Sequence, residues 1–254
     1  MDHLSKRAYD ILKSVDTVAG YTTYIDLIIP LIENKNIIST GMTKEVDRVE
    51  AAIEIAVKGR SCAIISSGDP GIYAMAGLVF EICQIKNIPV TSPFANDPAL
   101  DDKSSLQVEV VPGIPALCAG ASLLGAPLTH DFAVISLSDL LTPWNIIEKR
   151  LEAAAMADFV IVLYNPKSKK RVVQLEKTQT ILLKHRDINT PVGIVTGAMR
   201  KNQDIQIVSL GDLQKAHVNM QTTLFIGSSA SVKYFDFMVT PRGYSKKYKI
   251  DRES

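Results

Sequence analysis

At 254 residues, with 46% hydrophobic and 22% charged residues, the chain has room for one large domain or two of ordinary size and can bury a substantial core. A formal net charge of +1 provides no electrostatic drive toward nucleic acid or a membrane surface, and no apolar run approaches the roughly 20 residues that a membrane span needs. The three cysteines, Cys62, Cys83 and Cys118, are far apart and each lies in apolar sequence, which argues against a disulfide framework or a metal knuckle and reads as core thiols in a reducing cytoplasm.

The opening segment is charged and amphipathic, which is not the pattern of a signal peptide. Leu4, Ala8, Ile11, Leu12 and Val15 recur at helical spacing over 3–15. A strand is expected at 17–19 with a turn at Gly20, then an apolar segment at 24–29 and a short strand at 37–40 ended by Gly41. Val49, Ile53 and Ala56 share one face of a helix over 46–57, with Glu45, Asp47 and Glu50 near its start, where the helix dipole favours anions.

Cys62-Ala63-Ile64-Ile65 is a buried-strand pattern that opens through Ser66-Ser67-Gly68-Asp69-Pro70-Gly71 into a helix running to Ile85. That arrangement puts backbone N–H groups and one carboxylate at the carboxyl edge of a sheet, where open α/β sheets bind small molecules. Residues 91–105 hold two prolines, three aspartates and three serines and read as a polar excursion. A buried strand is expected at 108–111, closed by Pro112-Gly113, followed by a small-residue helix over 116–124 that suits close packing on a backbone or a ligand.

The second half repeats the alternation. Strands are expected at 133–137, 159–164, 191–195, 204–209 and 222–226, helices at 145–155 and 172–185, and a capped turn at 210–215. The break between two α/β domains, 1–112 and 113–254, falls at Pro112-Gly113, and the halves are expected to meet in a cleft. Strands end at Gly68-Asp69-Pro70, Pro112-Gly113, Asn165-Pro166, Thr196-Gly197 and Gly227. If these ends converge, they line a pocket of main-chain amides and carbonyls suited to a nucleoside-like ligand. No phosphate-binding loop, nucleophile elbow or zinc-protease motif is present.

Several stretches carry a resemblance: VAGYTTY at 18–24, SSGDPGIY at 66–73, VPGIPA at 111–116, HDFAVISLSDLLTPW at 130–144, LYNPKSKKR at 163–171 and TPRGY at 240–244. The chain resembles the tetrapyrrole methylases and, through the 130–144 and 163–171 runs, the C17-methyltransferases that act on precorrin-3B or cobalt-precorrin-3 in cobalamin biosynthesis. The resemblance implies the tetrapyrrole methylase fold, S-adenosyl-L-methionine as methyl donor, methylation at C17 with contraction of a large anionic macrocycle, and a homodimer. Position by position it implies donor contacts at Gly68, Asp69, Ile72, Tyr73, Pro115, Ala116, Asn165, Ala198, Thr222 and Thr223. No metal ligands are implied. Family members ordinarily begin with a further strand and a glycine loop ahead of the first helix, so by this analogy the chain is expected to lack that first strand and loop. A donor- or tetrapyrrole-binding paralogue without turnover is the competing reading.

For the acceptor side the candidates are His130, Ser138 and Asp139, with Ser136 beside them. His130 titrates near working pH and suits proton transfer. Each has an ordinary alternative: a structural histidine, a turn hydroxyl and a capping carboxylate. Lys167, Lys169, Lys170 and Arg171 suit the peripheral carboxylates of a tetrapyrrole or a solvated helix start. Arg242, Lys246, Lys247 and Lys249 carry the same ambiguity. Trp144 is either core or a stacking face.

Overall fold

The helical spacing of the first residues produces α1 (Lys6–Ser14), begun by Ser5, whose Oγ accepts the Ala8 N–H at 3.2 Å. The structure is a computed structural model and describes residues 2–94 and 105–248. Two compact units divide it, Met1–Pro115 and Ala116–Ser254.

In the first unit, β1 (Thr17–Tyr21) lies between β2 (Asn36–Thr40) and β3 (Cys62–Ile64) in a parallel sheet. Parallel neighbours require crossovers, and α2 (Thr22–Ile32) and α3 (Glu45–Val57) provide them. The apolar segment at 24–29 is therefore part of α2. The two-residue period of a strand sends Ala63 and Ile65 to the α1–α2 side, with Leu12, Val15, Val18, Ile25 and Ile32. Ile64 goes to the other side, with Val49, Ile53, Ile82 and Cys83 from α3 and α4 (Ala76–Ile85).

Two expectations fail here. Gly20 makes no turn and lies inside β1, and a Cβ on it would stand 2.5 Å from Ile65 Cγ1, so the glycine serves packing. The buried strand at 108–111 is also absent. Pairing is confined to β4 (Val90–Thr91) and β5 (Leu106–Gln107), plus one bond from Val108 N–H to the Thr91 carbonyl at 2.9 Å. With so short a partner the ladder ends, and Val110 is 42% exposed. This segment is held by side chains instead. Arg7 forks onto Glu109 at 2.8 and 2.6 Å, and Ser5 Oγ donates to the Pro112 carbonyl at 3.3 Å. Of the polar excursion, 95–104 lies outside the described residues, as does Lys249.

The second unit is built on a five-stranded sheet, whose order takes β7 (Phe132–Ser136), β8 (Val160–Tyr164), β9 (Pro191–Thr196), β10 (Asp204–Ser209) and β11 (Thr222–Ile226) as β10-β9-β11-β8-β7. One face is covered by α6 (Trp144–Met156), α7 (Gln174–Leu182) and the 3-10 turn Leu210–Lys215, with Ile147, Leu151, Ile161, Leu163, Ile194 and Leu224 in that core. The small-residue helix α5 (Ala116–Leu124) packs closely, as its composition suggests. A Cβ on Gly120 would lie 2.6 Å from the Phe225 ring, and one on Gly193 would lie 2.4 Å from Leu124 Cδ1. β6 (Gly125–Ala126), β12 (Val232–Tyr234) and β13 (Phe237–Val239) form a small separate sheet, and α8 (Tyr244–Lys247) follows.

The helix expected over 172–185 is shorter at both ends: it stops at Leu182, and it starts late because 167–173 is a turn in which the N–H groups of Lys170 and Arg171 donate to Ser168 Oγ at 3.3 and 3.0 Å. The core reading of the cysteines holds for Cys83 but not for Cys118, which is exposed on α5, and Cys62 is half-buried. Burial pushes the Cys62 thiol up to about 11.

Candidate functional site

Strand directions decide which candidates share an edge. β7 and β8 are parallel, β11 runs against both β8 and β9, and so β9 runs with β8. The carboxyl ends of β7, β8 and β9 therefore lie together, joined by the amino end of β11. Ser136, Asn165, Thr196 to Ala198 and Thr222-Thr223 belong to that edge. Gly227 ends β11 at the opposite edge, so the expectation that all five punctuated strand ends converge is corrected: direction, which residue types do not encode, excludes it.

On the shared edge the signature residues hold one another. Asn165 is in the left-handed region (φ 53) directly after β8, and its Nδ2 donates to Ser136 Oγ at 3.0 Å. Asparagine tolerates that backbone better than most residues. Ser136 Oγ also accepts the Ser138 N–H at 3.2 Å. Arg171 donates from Nη1 to the Asn165 carbonyl (2.9 Å) and from Nη2 to Ser138 Oγ (3.0 Å), and its Nε faces Asp139 Oδ1 at 3.7 Å. Gln174 Nε2 donates to the other Asp139 oxygen at 2.8 Å. Ser138 and Asp139 are thus fastened to the end of β8 by Arg171. The guanidinium is engaged internally, while Lys167, Lys169 and Lys170 are free of carboxylate partners among the described residues. Gln174 Oε1 and Arg171 Nε are buried without a hydrogen bond.

The remaining candidates of this unit fall in different places. Thr196 and Thr222 share a hydrogen bond between their Oγ1 atoms at 2.7 Å, Thr222 Oγ1 also accepts the Asn219 N–H, and Thr223 is buried in β11. Ala198 is half-buried beside Gly197 (φ 59). Ala116 opens α5, where the Leu117 N–H is taken by the Tyr164 hydroxyl at 2.8 Å. His130 precedes β7, at the edge opposite Ser138 and Asp139. The strand between them spans about 16 Å at ~3.3 Å per residue. Its Nδ1 accepts the Asp131 N–H at 2.8 Å on an exposed turn. Trp144 packs on the core, and its Nε1 donates to Glu148 at 2.6 Å. Arg242 donates to the Thr129 carbonyl.

In the first unit the parallel strands end at Tyr21, Thr40 and Ile64, and the 65–75 loop continues from β3. Gly68 (φ 78) and Tyr73 (φ 52) take left-handed backbone. Asp69 is a clasp: Oδ1 accepts the Gly71 N–H at 2.8 Å and Oδ2 the Gly113 N–H at 3.0 Å. A Cβ on Gly113 would sit 2.1 Å from the Gly68 carbonyl oxygen, so the two turns touch backbone to backbone. Ile72 and Pro115 are half-buried. Ser66 Oγ is buried with no hydrogen-bond partner. After accepting two N–H bonds the Asp69 carboxylate retains lone pairs for a further donor.

Sequence reading passed over Arg48. The buried face of α3 is Arg48, Val49, Ala52 and Ile53, a helical repeat in which the arginine occupies a core position. That repeat was the available signal.

The turns at Gly68, Asn165 and Gly197 that follow the strands take left-handed backbone in an α/β framework, and no group of side chains among the described residues could hold a metal ion. The family described as Tetrapyrrole (Corrin/Porphyrin) Methylases matches residues 1–214, and the chain belongs to it. It is 45% identical over 251 residues to the cobalt-factor III methyltransferase of Priestia megaterium, covering 99% of this chain and 44% of that protein. It is 42% identical over 242 residues to a probable cobalt-factor III C(17)-methyltransferase of Salmonella typhimurium, covering 95% of this chain and 94% of that one. The solved structure of the methyltransferase CobJ matches with a TM-score of 0.82 at 32% identity over 94% of each chain. The chain thus spans less than half of one relative and nearly all of another.

Proposed function

We propose that this protein is an S-adenosylmethionine-dependent methyltransferase that methylates C17 of cobalt-factor III, or of the corresponding precorrin-3B or cobalt-precorrin-3, with contraction of the macrocycle during cobalamin biosynthesis. The observation that carries the reading is the 42% identity along 94% of the Salmonella protein. The reading includes action in the cytoplasm as a homodimer. No helix among the described residues is long and apolar enough to cross a membrane.

S-adenosylmethionine supplies the methyl group on an already activated sulfonium. The chain's task is orientation, which is worth on the order of 7–11 kcal/mol for a well-aligned pair. In the first unit we assign donor binding to Gly68, Asp69, Ile72, Tyr73 and Pro115, with Asp69 and Gly113 fixing the turn and Ser66 Oγ free to donate or accept. In the second unit we assign it to Ala116, Asn165, Ala198, Thr222 and Thr223. Ser138 and Asp139, held by Arg171, are the acceptor-side groups. His130, on the opposite edge, is set aside as a proton-transfer group. Lys167, Lys169 and Lys170 are assigned to the peripheral carboxylates of the tetrapyrrole.

The test is incubation of the chain with methyl-labelled S-adenosylmethionine and cobalt-factor III. One labelled methyl at C17 of the product, located by NMR, is expected. Binding of both ligands with no label transferred would favour the paralogue without turnover and reject the enzyme.

A further inference from the structure

Arg48 is 3% exposed and carries a full positive charge among neutral groups. Its Nε donates to Thr40 Oγ1 at 2.8 Å and its Nη2 to the Gly41 carbonyl at 3.3 Å, while Nη1 lies 3.7 Å from Met75 Sδ. No carboxylate pairs with it among the described residues. The acids of its own helix that have partners are engaged elsewhere: Asp47 with Lys44 at 2.9 Å, Glu50 with Lys86 at 2.7 Å and Glu54 with Lys58 at 2.6 Å. A buried charge without a counter-charge is costly, and arginines in that position are ordinarily paired.

Its location gives the charge a use. Thr40 and Gly41 are the carboxyl end of β2, in register with Tyr21 at the end of β1. Met75 closes the loop that holds Gly68, Asp69 and Tyr73, just before α4. Arg48 therefore lies beneath the carboxyl edge of a parallel sheet, the edge at which such sheets take ligands. One of its three contacts is to a thioether, a weak acceptor on a flexible side chain. A carboxylate replacing that sulfur would gain a charge-assisted bond and supply the missing negative charge.

We propose that Arg48 is a carboxylate-binding residue of this strand edge, its counter-charge supplied by the ligand. The proposal rests on the methyltransferase reading for the source of that carboxylate, which is either a peripheral acid side chain of the tetrapyrrole or the amino-acid end of S-adenosylmethionine. It does not rest on that reading for the existence of the subsite.

The first arm compares thermal unfolding of the full chain in sodium acetate and in sodium chloride at matched ionic strength. Acetate should raise the melting temperature of the wild type above its value in chloride, and Arg48→Met should abolish the difference. An equal acetate effect in both proteins overturns the proposal. This comparison holds even if the chain transfers no methyl group. The second arm locates the source. If Arg48→Met raises KM for cobalt-factor III at least tenfold with kcat within twofold, the tetrapyrrole supplies the carboxylate. If it weakens S-adenosylhomocysteine binding by that factor instead, the donor supplies it. Both constants within twofold of wild type overturn the proposal. Arg48→Lys, which keeps the charge, guards against misfolding of the methionine variant: a folded lysine variant must retain part of the acetate response, and its complete loss also overturns the proposal.

Discussion

At the scale of single residues, the loop after β3 is fixed by one carboxylate and one missing side chain. Asp69 was legible as an exceptional residue because a lone acid follows a strand and a glycine, yet the sequence offered no sign that its two oxygens both accept backbone N–H groups, one of them 44 positions away. This changes what a substitution should do. An asparagine presents one oxygen and one NH2, so one of the two N–H groups must face a donor, and because these bonds are exposed or only part-buried the loss is that of an ordinary hydrogen bond, about 0.5–1.5 kcal/mol. Asp69→Asn is expected to lower the melting temperature by several degrees and to weaken S-adenosylhomocysteine binding in calorimetry. Gly113→Ala should do the same through contact with the Gly68 carbonyl, at about 1–3 kcal/mol for overpacking. Wild-type stability and affinity in both variants would show that the clasp is not needed.

At the scale of elements, most strands and helices were legible because apolar period and glycine or proline punctuation agree, as at β8, β9 and β11. Strand direction was not, since it depends on pairing across the sheet, and it is direction that removes Gly227 and His130 from the edge that holds Asn165. Arg171 read as either a substrate cation or a solvated helix start, because charge is visible in sequence and hydrogen bonding is not. Its bonds to the Asn165 carbonyl and Ser138 make it the fastening of that edge. Hydrogen bonds to charged groups contribute about 1.5–3 kcal/mol, so Arg171→Ala should reduce kcat/KM for the tetrapyrrole by about 10–100-fold, with Arg171→Lys, which lacks the planar fork, recovering only part. A loss no larger than that of Lys169→Ala in steady-state assays would return Arg171 to the status of a surface charge.

The opposite edge has its own electrostatic tie. Asp158, in left-handed backbone (φ 60), accepts the Ser229 N–H and hydroxyl at 2.9 and 2.5 Å and pairs with buried Arg186 at 3.2 Å. Burial pushes its carboxyl up, but the Ser229 bonds, Arg186 and His130 outweigh that and hold it below the usual range. A carboxyl depressed in the folded state contributes stability above its unfolded value, near 3.9, and that contribution is lost as pH falls through the folded value. Asp158→Asn suits the same backbone, keeps an oxygen for the Ser229 N–H, removes the charge and turns the other oxygen into an NH2 that can donate to the Ser229 hydroxyl. Its melting temperature should be below wild type at pH 7, and the gap should close as the pH is taken below about 4. A gap independent of pH would assign the difference to hydrogen-bond geometry and not to ionisation.

At the scale of the whole molecule, relatives of different length share this sequence. It fills 94% of the Salmonella protein and 44% of the Priestia one, so the methylase portion occurs with and without a large additional length of chain. Donor recognition is then expected to reside in the shared portion: of the residues assigned to it, those from Gly68 to Ala198 lie within residues 1–214, the span the family match covers, and only Thr222 and Thr223 fall just beyond it. A ligand that binds only the folded state stabilises it by about 2.7 kcal/mol at a hundredfold excess over Kd. The chain by itself should therefore unfold several degrees higher in S-adenosylhomocysteine at that excess, and adenosine, which lacks the homocysteine portion, should give a smaller shift. Calorimetric scans with both ligands decide it: the absence of any shift would mean that the turns preserve the fold of the family without holding its donor.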